Sequence, residues 1–311
     1  MADKKPIVVV GSINMDLVAS APHIPAAGET ILGTDFQTHP GGKGANQAVA
    51  AARVGGPSGL QVQMIGQLGS DDIGKQLREG LNKAGVDTTS VGTVPGTSGV
   101  ALITVAANGD NSIVVTPGAN TQVTPEFLDQ HAEKIRKAGI VLAQLEIPLE
   151  TVVHLAELCA KAEVPLMLDP APAQELPSSL FSKITWFTPN ETEAAFYLGK
   201  KAKDSEAAAN SLIAKGLKGV ILKLGDKGSY FAVAKGNEVT IKPFNVKAVD
   251  TTAAGDAFNG AFAAALMLGQ SRLEAAMFAS AASAISVTRA GAQKSMATFE
   301  EVQQMLEGEW K

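Results

Sequence analysis

Apolar runs that end in polar clusters recur along the chain. Ile7–Val10 is a continuous apolar run, typical of a strand buried on both faces of a parallel sheet, and Gly11–Asp16 follows it. The same pattern returns in four later runs, separated by helical segments, at residues 140–145, 165–168, 184–187 and 219–224. This alternation predicts an α/β fold with a mostly parallel central sheet, helices on both faces and ligands at the carboxyl ends of the strands.

Two segments interrupt the alternation. Prolines and glycines divide residues 17–40 into short apolar pieces, and two β-rich runs flank a turn at Asn108-Gly109, which is a hairpin signal. We therefore expect one domain over residues 1–311. A small β-sheet lid, made from segments of about 14–40 and 97–117, is expected to be inserted in it.

Composition narrows the class of protein. The 311 residues are 45% hydrophobic, enough for a large core, and the formal charge of −5 without a Lys/Arg cluster argues against a nucleic-acid partner. The single cysteine, Cys159, excludes an intrachain disulfide. No signal peptide precedes Ile7, and no apolar run approaches the ~18 residues that cross a membrane. We expect a cytoplasmic protein with no membrane partner.

The stretch Asp250–Phe262 combines a bare turn, an acid and a helix start. Ala253, Ala254 and Gly255 have little side-chain bulk, so their backbone N–H groups can approach an anion closely. A helix N-terminus adds unpaired donors and about half a positive charge. Asp256, at the start of the predicted helix, is placed to accept a hydroxyl proton during phosphoryl transfer. Asp is also a common N-cap residue, so capping is the alternative interpretation.

A glycine cluster, Gly41–Asn46, opens an alanine-rich helix. Its spacing does not match the Walker pattern of Gly, four residues and then Gly-Lys-Ser/Thr. We expect its bare backbone, together with Lys43 and Asn46, to form the floor of a polar ligand pocket. A tight turn at a helix start is the alternative interpretation.

These two motifs, with Asn14 and Asp16, resemble the signatures of the ribokinase-like sugar kinases, the PfkB family, and the resemblance extends from Gly11 to Ser295. It implies the ribokinase-like fold. It also implies ATP-dependent phosphorylation of D-ribose at its primary (O5) hydroxyl, giving ribose 5-phosphate. Asp256 would be the general base, ionised at pH 7 with an ordinary pKa near ~3.9. The backbone of Ala253, Ala254, Gly255 and Asp256 would form the anion hole.

The resemblance implies two small-molecule sites. Its sugar-binding positions fall on Asn14, Asp16, Gly42, Lys43, Gly44, Ala45, Asn46, Glu146 and Asp256. Its positions for ATP and Mg²⁺ fall on Asn190, Glu193, Lys223, Leu224, Gly225, Asp226, Lys227, Gly228, Gly255, Asp256 and Ser280. Carboxylates and amides suit a polyol, and Mg²⁺ needs few protein ligands. Three positions depart from the residues usual in the family: Lys223 (Thr or Ser), Ser280 (Asn or His) and Lys294 (Pro).

A K⁺ site and a homodimer are also implied by the resemblance. The cation positions fall on two loops, with Asp250 and Thr252 on the first and Ser286, Arg289, Gly291 and Ser295 on the second. A K⁺ ion between the loops would fix the anion hole without entering the reaction. In relatives the β lid forms the contact between two subunits, so a homodimer through the lid is expected.

Two alternatives stay open. The first is another kinase of the family, such as a deoxyribokinase, a fructokinase or a nucleoside kinase. Asp16 and Glu146 favour a small free polyol, because a nucleoside base calls for an aromatic-lined pocket and aromatic residues are only 5% of the chain. The second is a non-catalytic sugar-binding regulator on the same fold. The joint presence of Asp256, Asn190 and Glu193 argues against it.

Overall fold

A computed structural model describes residues 4–236 and 238–310. The strands are β1 (Ile7–Val10), β2 (Asn14–Ala21), β3 (Asp35–Gly41), β4 (Val62–Gly69), β5 (Val86–Val94), β6 (Gly99–Ala106), β7 (Asn111–Thr116), β8 (Ile140–Ala143), β9 (Leu166–Leu168), β10 (Trp186–Phe187), β11 (Gly219–Lys223), β12 (Ser229–Val233) and β13 (Val239–Ile241). The α-helices are α1 (Lys43–Gly55), α2 (Asp72–Lys83), α3 (Pro125–Asp129), α4 (Ala132–Lys137), α5 (Leu149–Lys161), α6 (Ser178–Phe181), α7 (Glu191–Leu198), α8 (Ser205–Ile213), α9 (Ala254–Met267), α10 (Arg272–Ser286) and α11 (Phe299–Glu307). None of these helices is long and apolar enough to cross a membrane.

The main sheet has nine strands in the order β13-β12-β11-β10-β9-β8-β1-β4-β5. The strands from β11 to β5 pair in parallel, and β12 and β13 add to one edge in antiparallel orientation. Parallel strands align their carboxyl ends along one edge of a sheet, so the polar residues that follow β1, β8, β9 and β10 come together there.

Alternate residues of β1 enter two separate cores. Ile7 and Val9 pack into one apolar cluster and Val8 and Val10 into the other, because successive side chains of a strand point to opposite faces. The first cluster includes residues of α1, α9 and α10, and the second includes residues of α5 and α8. Helices therefore cover both faces of the sheet. The predicted α/β fold with a mostly parallel sheet is confirmed.

A second sheet of four strands, in the order β3-β2-β6-β7, stands apart from the main one. β2 and β3 form an antiparallel hairpin, β6 and β7 form another, and β2 joins them by parallel pairing with β6. Its strands come from the two segments that interrupt the βα alternation. Because β2 begins only four residues after β1 ends, at Asn14, the small sheet starts directly at the polar edge of the main sheet.

Close packing of α1 against α9 brings distant parts of the chain together. A Cβ added to Gly260 of α9 would lie 2.5 Å from the Gln47 carbonyl oxygen and 2.6 Å from the Ala50 Cβ of α1. Only a residue without a side chain permits this approach. The alanines on the facing side of α1 leave equally little bulk, and Ala48 and Ala51 are fully buried. The two helix N-termini, and their polar side chains, consequently lie side by side.

Gly260→Ala is expected to lower the free energy of unfolding by about 1–3 kcal/mol, because the added methyl group forces the two helix backbones apart. Gly80→Ala in α2 is the matched control. Nothing lies within 4 Å of its added Cβ, and Ala is favoured over Gly inside a helix, so stability should rise by up to about 1 kcal/mol. Urea unfolding of both variants measures the difference. Equal effects at the two positions would contradict the packing constraint.

Candidate active site

The N-terminus of α9 follows a residue in a left-handed backbone conformation. Ala253 has φ 60°, rare for a residue other than glycine, and α9 begins at Ala254. The first intrahelical bond runs from the Ala257 N–H to the Ala253 carbonyl at 2.8 Å, and the Ala254 N–H donates to the Thr251 carbonyl at 3.3 Å. The N–H groups of Gly255 and Asp256, within the first turn, precede the helical ladder and suit an anion.

Asp256 lies inside α9 and is not its N-cap, so the structure excludes the capping interpretation. Its carboxylate is 4% exposed and accepts from Asn46 Nδ2 and Gln47 Nε2 of α1, both at 3.0 Å. Burial raises the pKa of Asp256 to about 6, with a further contribution from Asp169, against the lowering effect of Lys43 and the two amides. The expectation of an ordinary pKa was wrong, because the sequence does not show how deeply α1 buries this acid.

Lys43, at the start of α1, lies near several acidic side chains. The Glu146 carboxylate accepts from the Ser12 hydroxyl at 2.5 Å and from the Lys43 N–H at 3.1 Å. Burial opposes the charge on Lys43, but the carboxylates of Asp256, Asp169 and Glu146 outweigh it and raise the Lys43 pKa. The ammonium therefore stays charged among three acids.

Asp16, on β2, belongs to the same cluster. Burial first, and then the charges of Glu146 and Asp256, raise its pKa to about 6. Asn14 is buried, and its Oδ1 accepts from Asn120 Nδ2 at 2.7 Å. Gly42 has φ 86°, and a Cβ there would lie 2.7 Å from the Asn14 backbone nitrogen, so this turn needs glycine. The structure thus brings Asn14, Asp16, Gly42, Lys43, Asn46 and Glu146 together near Asp256, while the backbone N–H groups of Gly44 and Ala45 donate to Ser12.

A cavity of about 740 Å³ opens beside Asp256, and Lys43 and Asp169 line it together with Asp256. Its wall includes the predicted nucleotide residues Asn190, Glu193, Lys223, Gly225, Asp226, Gly228, Gly255, Asp256 and Ser280. Two predicted residues are not in that wall: Leu224 is buried, and Lys227 pairs with Glu191 at 3.5 Å. The apolar part of the wall comes from Pro243, Phe244, Val246, Ala284 and Val287. This volume and this mixture of polar and apolar groups are usual for a small-molecule site.

Asn190 and Glu193 form a capping box at the start of α7. The Glu193 N–H donates to Asn190 Oδ1, and the Asn190 N–H donates to Glu193 Oε2, each at 2.8 Å. Both side chains also border the cavity. Burial raises the pKa of Glu193, while the Lys223 charge lowers it. The arrangement is therefore a helix cap whose acid also faces the cavity.

The two predicted cation loops contact each other through Asp250. Its carboxylate accepts from the Thr252 N–H at 2.9 Å and from the Gly291 N–H at 2.8 Å. Burial would raise the pKa of Asp250, but these hydrogen bonds lower it. Ser286 and Ser295 are fully buried, and Arg289 forms an ion pair with Glu301. The Asp250 carboxylate thus joins the loop before α9 to the loop that follows α10.

Gln47, Asp169, Ser12 and Gln144 were not predicted as site residues. Gln47 Nε2 donates to both Asp256 and Asp169, and Gln47 Oε1 accepts from Gln144 Nε2 at 2.8 Å. Ser12 donates to Glu146. One available signal was position, since Ser12, Gln144 and Asp169 directly follow strands of the parallel sheet and Gln47 lies beside Asn46 on α1.

Charged and amide side chains around a buried carboxylate, beside a helix N-terminus and a cavity of small-molecule size, are the groups that phosphoryl transfer uses. The sequence pattern of the pfkB family of carbohydrate kinases matches residues 4–298, and the chain belongs to this family. It is 44% identical over 308 residues to a ribokinase of Haemophilus influenzae (98% of this chain, 99% of the relative) and 40% identical over 306 residues to a deoxyribokinase of Salmonella typhimurium (96% and 98%). The solved structure of Arabidopsis thaliana ribokinase complexed with ribose and ATP superposes with a TM-score of 0.91 at 36% identity (98% and 99% covered).

The raised pKa values predict how the rate depends on pH. Asp256 and Asp16, both with pKa raised to about 6, are protonated below that pH. A protonated Asp256 cannot accept a proton, so kcat/KM for the sugar should fall as the pH drops below about 6 and level off above about 7. Initial rates from pH 4.5 to 8, with circular dichroism as a control for folding, test this. A rate that stays constant down to pH 4.5 would contradict a rate-limiting role for two acids with pKa values near 6.

Proposed function

We propose that this protein transfers the γ-phosphoryl group of ATP to the primary (O5) hydroxyl of D-ribose, giving ribose 5-phosphate and ADP. The observation that carries the proposal is the position of Asp256. Its buried carboxylate lies in the first turn of α9, accepts from Asn46 of the polar cluster, and also lines the cavity of about 740 Å³. Relatives that carry the name ribokinase, and a structural neighbour with ribose and ATP bound, support the choice of substrates.

The polar cluster suits the sugar. Asp16 and Glu146 offer acceptors, Lys43 offers donors and Asn14 offers both, so each can pair with adjacent hydroxyls of a pentose. A site built on such pairs rejects analogues that lack one hydroxyl, since a buried polar group would be left unpaired. In this proposal Gly42, Gly44 and Ala45 supply backbone, and Asn46 contacts both the sugar and Asp256.

The reaction is an in-line transfer. As the sugar O5 attacks the γ-phosphorus, its proton passes to Asp256, and the bond between phosphorus and the β–γ bridging oxygen breaks to release ADP. The N–H groups of Gly255 and Asp256, with the turn at Ala253 and Ala254, stabilise the negative charge that develops on the phosphoryl oxygens. With its pKa near 6, Asp256 is mostly ionised at pH 7 and accepts a proton more readily than an ordinary Asp.

The nucleotide and Mg²⁺ are assigned to the cavity. The loop Leu224–Gly228 and Ser280 would lie against the nucleotide, and Glu193 would hold Mg²⁺, with Asn190 positioning Glu193. The fit is reasonable because Mg²⁺ uses one or two carboxylates and keeps several waters. Each Glu193 oxygen accepts only one hydrogen bond, from Asn190, so lone pairs remain. Bound Mg²⁺ would neutralise phosphate charge.

A monovalent cation, K⁺, is proposed between the two loops joined by Asp250. The atoms that would coordinate the ion are all oxygens, which suit K⁺. They belong to the Asp250 carboxylate, to Thr252, Ser286 and Ser295, and to the backbone carbonyls of Arg289 and Gly291. The Ser286 hydroxyl donates to the Ser283 carbonyl within α10 at 2.8 Å, and the Ser295 hydroxyl donates to the Ala292 carbonyl at 2.7 Å, which leaves their oxygen lone pairs available. These residues fit K⁺, which would stiffen the turn that leads into the anion hole.

The small sheet is proposed to act as a lid over the sugar and as the contact for a homodimer. Water competes for the phosphoryl group, so closure over the sugar is expected of a kinase. β7 is exposed along its length, including Ile113 and Val114 at 54% and 59%. The strand register places Ile113 and Val115 on one face of the sheet, and Phe36, Leu102 and Val114 form an exposed apolar patch on the other face. Such a patch favours a partner, and a second copy of the sheet is its proposed occupant.

We also propose a cytoplasmic location, in keeping with the buried free thiol of Cys159.

The second candidate substrate is 2-deoxyribose, and the observation that supports it is the similarity of this chain to a deoxyribokinase. Comparing kcat/KM for D-ribose, 2-deoxyribose, fructose and adenosine in Mg-ATP tests the proposed function. A clear preference for D-ribose supports it, and activity on none of them would overturn it.

Asp256→Asn should lower kcat for D-ribose by about 10²–10⁴-fold, because the amide cannot accept the O5 proton. The neutral side chain removes a buried charge, but its NH₂ group would face the NH₂ group of Asn46 or Gln47, so circular dichroism and the melting temperature are measured to separate a folding defect from loss of the base. Asp72→Asn, an exposed acid on α2, is the control and should keep the wild-type rate. An Asp256→Asn variant that remains fully active would contradict the assignment of the base.

Replacing K⁺ by Na⁺ at equal ionic strength should lower kcat, since a smaller ion leaves the loops of Asp250 and Gly291 less well fixed. Asp250→Ala should abolish the difference between the two salts, because it removes the carboxylate that joins the loops. Steady-state rates of both proteins in the two salts measure this. Equal wild-type rates in K⁺ and Na⁺ would rule out the cation site.

A further inference from the structure

Lys223 and Asp169 form a buried ion pair on the wall of the cavity. Lys223 Nζ donates to Asp169 Oδ1 at 2.9 Å, and their side chains are 16% and 3% exposed. Removing two charges from water is costly, and neutral residues of similar volume are often equally stable in place of a buried pair. Stability alone therefore does not account for this pair, and its position suggests another role.

The Lys223 ammonium stands next to the anion hole. A Cβ added to Gly255 would lie 3.0 Å from Lys223 Nζ, so the ammonium borders the residue whose N–H group is free for an anion. An ammonium carries three N–H donors, of which Asp169 uses one. The backbone of Lys223 is fixed at the end of β11 by its N–H, which donates to the Pro189 carbonyl at 2.9 Å.

Asp169 also connects this cation to Asp256. Asp169 Oδ2 accepts from Gln47 Nε2 at 3.0 Å, and the same Nε2 donates to Asp256 Oδ1 at 3.0 Å. Gln47 is in turn fixed by Gln144, which donates to its Oε1. A continuous chain of hydrogen bonds thus runs from the acid at the start of α9 to the ammonium on β11.

We propose that Lys223 binds the terminal phosphoryl group during transfer, and that Asp169 and Gln47 are positioning residues that hold this cation and Asp256 at a fixed separation. The inference rests on the proposed function and extends it. Lys223 keeps all its protons throughout, while the O5 proton goes to Asp256 and ADP departs. Its charge offsets the negative charge on the phosphoryl oxygens, which a neutral residue at this position cannot do.

The direct test is Lys223→Met in the full-length protein. Loss of one preorganised cation should lower kcat by about 10²–10³-fold, while KM for D-ribose stays within about threefold because Lys223 lies on the nucleotide side. Lys183→Met is the matched control: Lys183 is a half-buried lysine paired with Glu157 at 3.9 Å, away from the cavity, and its loss should leave kcat unchanged. A Lys223→Met kcat within threefold of wild type would overturn the proposal.

Nucleotide affinities test the proposed contact between Lys223 and the terminal phosphate without a measurement of turnover. Measured by calorimetry, Lys223→Met should lower the affinity for a nonhydrolysable ATP analogue about tenfold or more. The affinity for ADP should fall less than about threefold, because the proposed contact is with the terminal phosphate of ATP, which ADP lacks. Equal weakening of both nucleotides would contradict that placement. If the wild-type protein phosphorylates none of the sugars, the proposed function fails, and this comparison still decides whether Lys223 contacts the terminal phosphate.

Asp169→Asn tests the positioning role. The Asn NH₂ group would face the Gln47 NH₂ group and disturb the hydrogen bond from Gln47 to Asp256. The substitution would also remove the charge that pairs with Lys223, so kcat should fall about tenfold or more. In Asp169→Asn/Lys223→Met the combined loss should be smaller than the product of the single losses, because Asp169 acts partly through Lys223. Fully multiplicative losses would contradict this coupling. The double variant also removes both buried charges, so it keeps the test valid if a single variant is unstable.

Discussion

The close packing of α1 against α9 is the constraint on which the site depends. Gly260 lets the two backbones meet, and the helix N-termini then lie side by side, with Asn46 and Gln47 bonded to Asp256. These residues are 210 and 209 positions from Asp256 in the chain. The contact buries the acid, and burial raises its pKa even though the helix N-terminus and the two amides favour the charged form.

Buried charge is balanced in two layers around this acid. In one layer Lys43 is near Glu146, Asp169 and Asp256, and in the other Lys223 pairs with Asp169. Negative charge from several acids keeps Lys43 charged, whereas burial keeps the pKa of Asp256 well above that of a solvated Asp. A phosphoryl group entering between the layers would meet two ammonium groups and the bare N–H groups of α9.

The α/β architecture was predictable from the sequence, because buried parallel strands such as Ile7–Val10 are continuously apolar and end in polar clusters. The site was predictable only where its residues lie in recognisable motifs. Gln47 was missed because its place beside Asn46 does not show that its amide contacts Asp169 and Asp256, which are 122 and 209 positions away. The pKa of Asp256 was wrongly predicted because burial by α1 is a tertiary effect, and Asp169 was missed because its partners, Gln47 and Lys223, are 122 and 54 positions away.

The most direct test of the account is a crystal structure of the protein with D-ribose and a nonhydrolysable ATP analogue bound. The account predicts that an Asp256 carboxylate oxygen lies within hydrogen-bond reach of the ribose O5, about 2.6–3.2 Å, while Asn46 and Gln47 still hold it. An O5 oxygen that lies beyond that reach, with Asp256 bonded only to the two amides of α1, would contradict it.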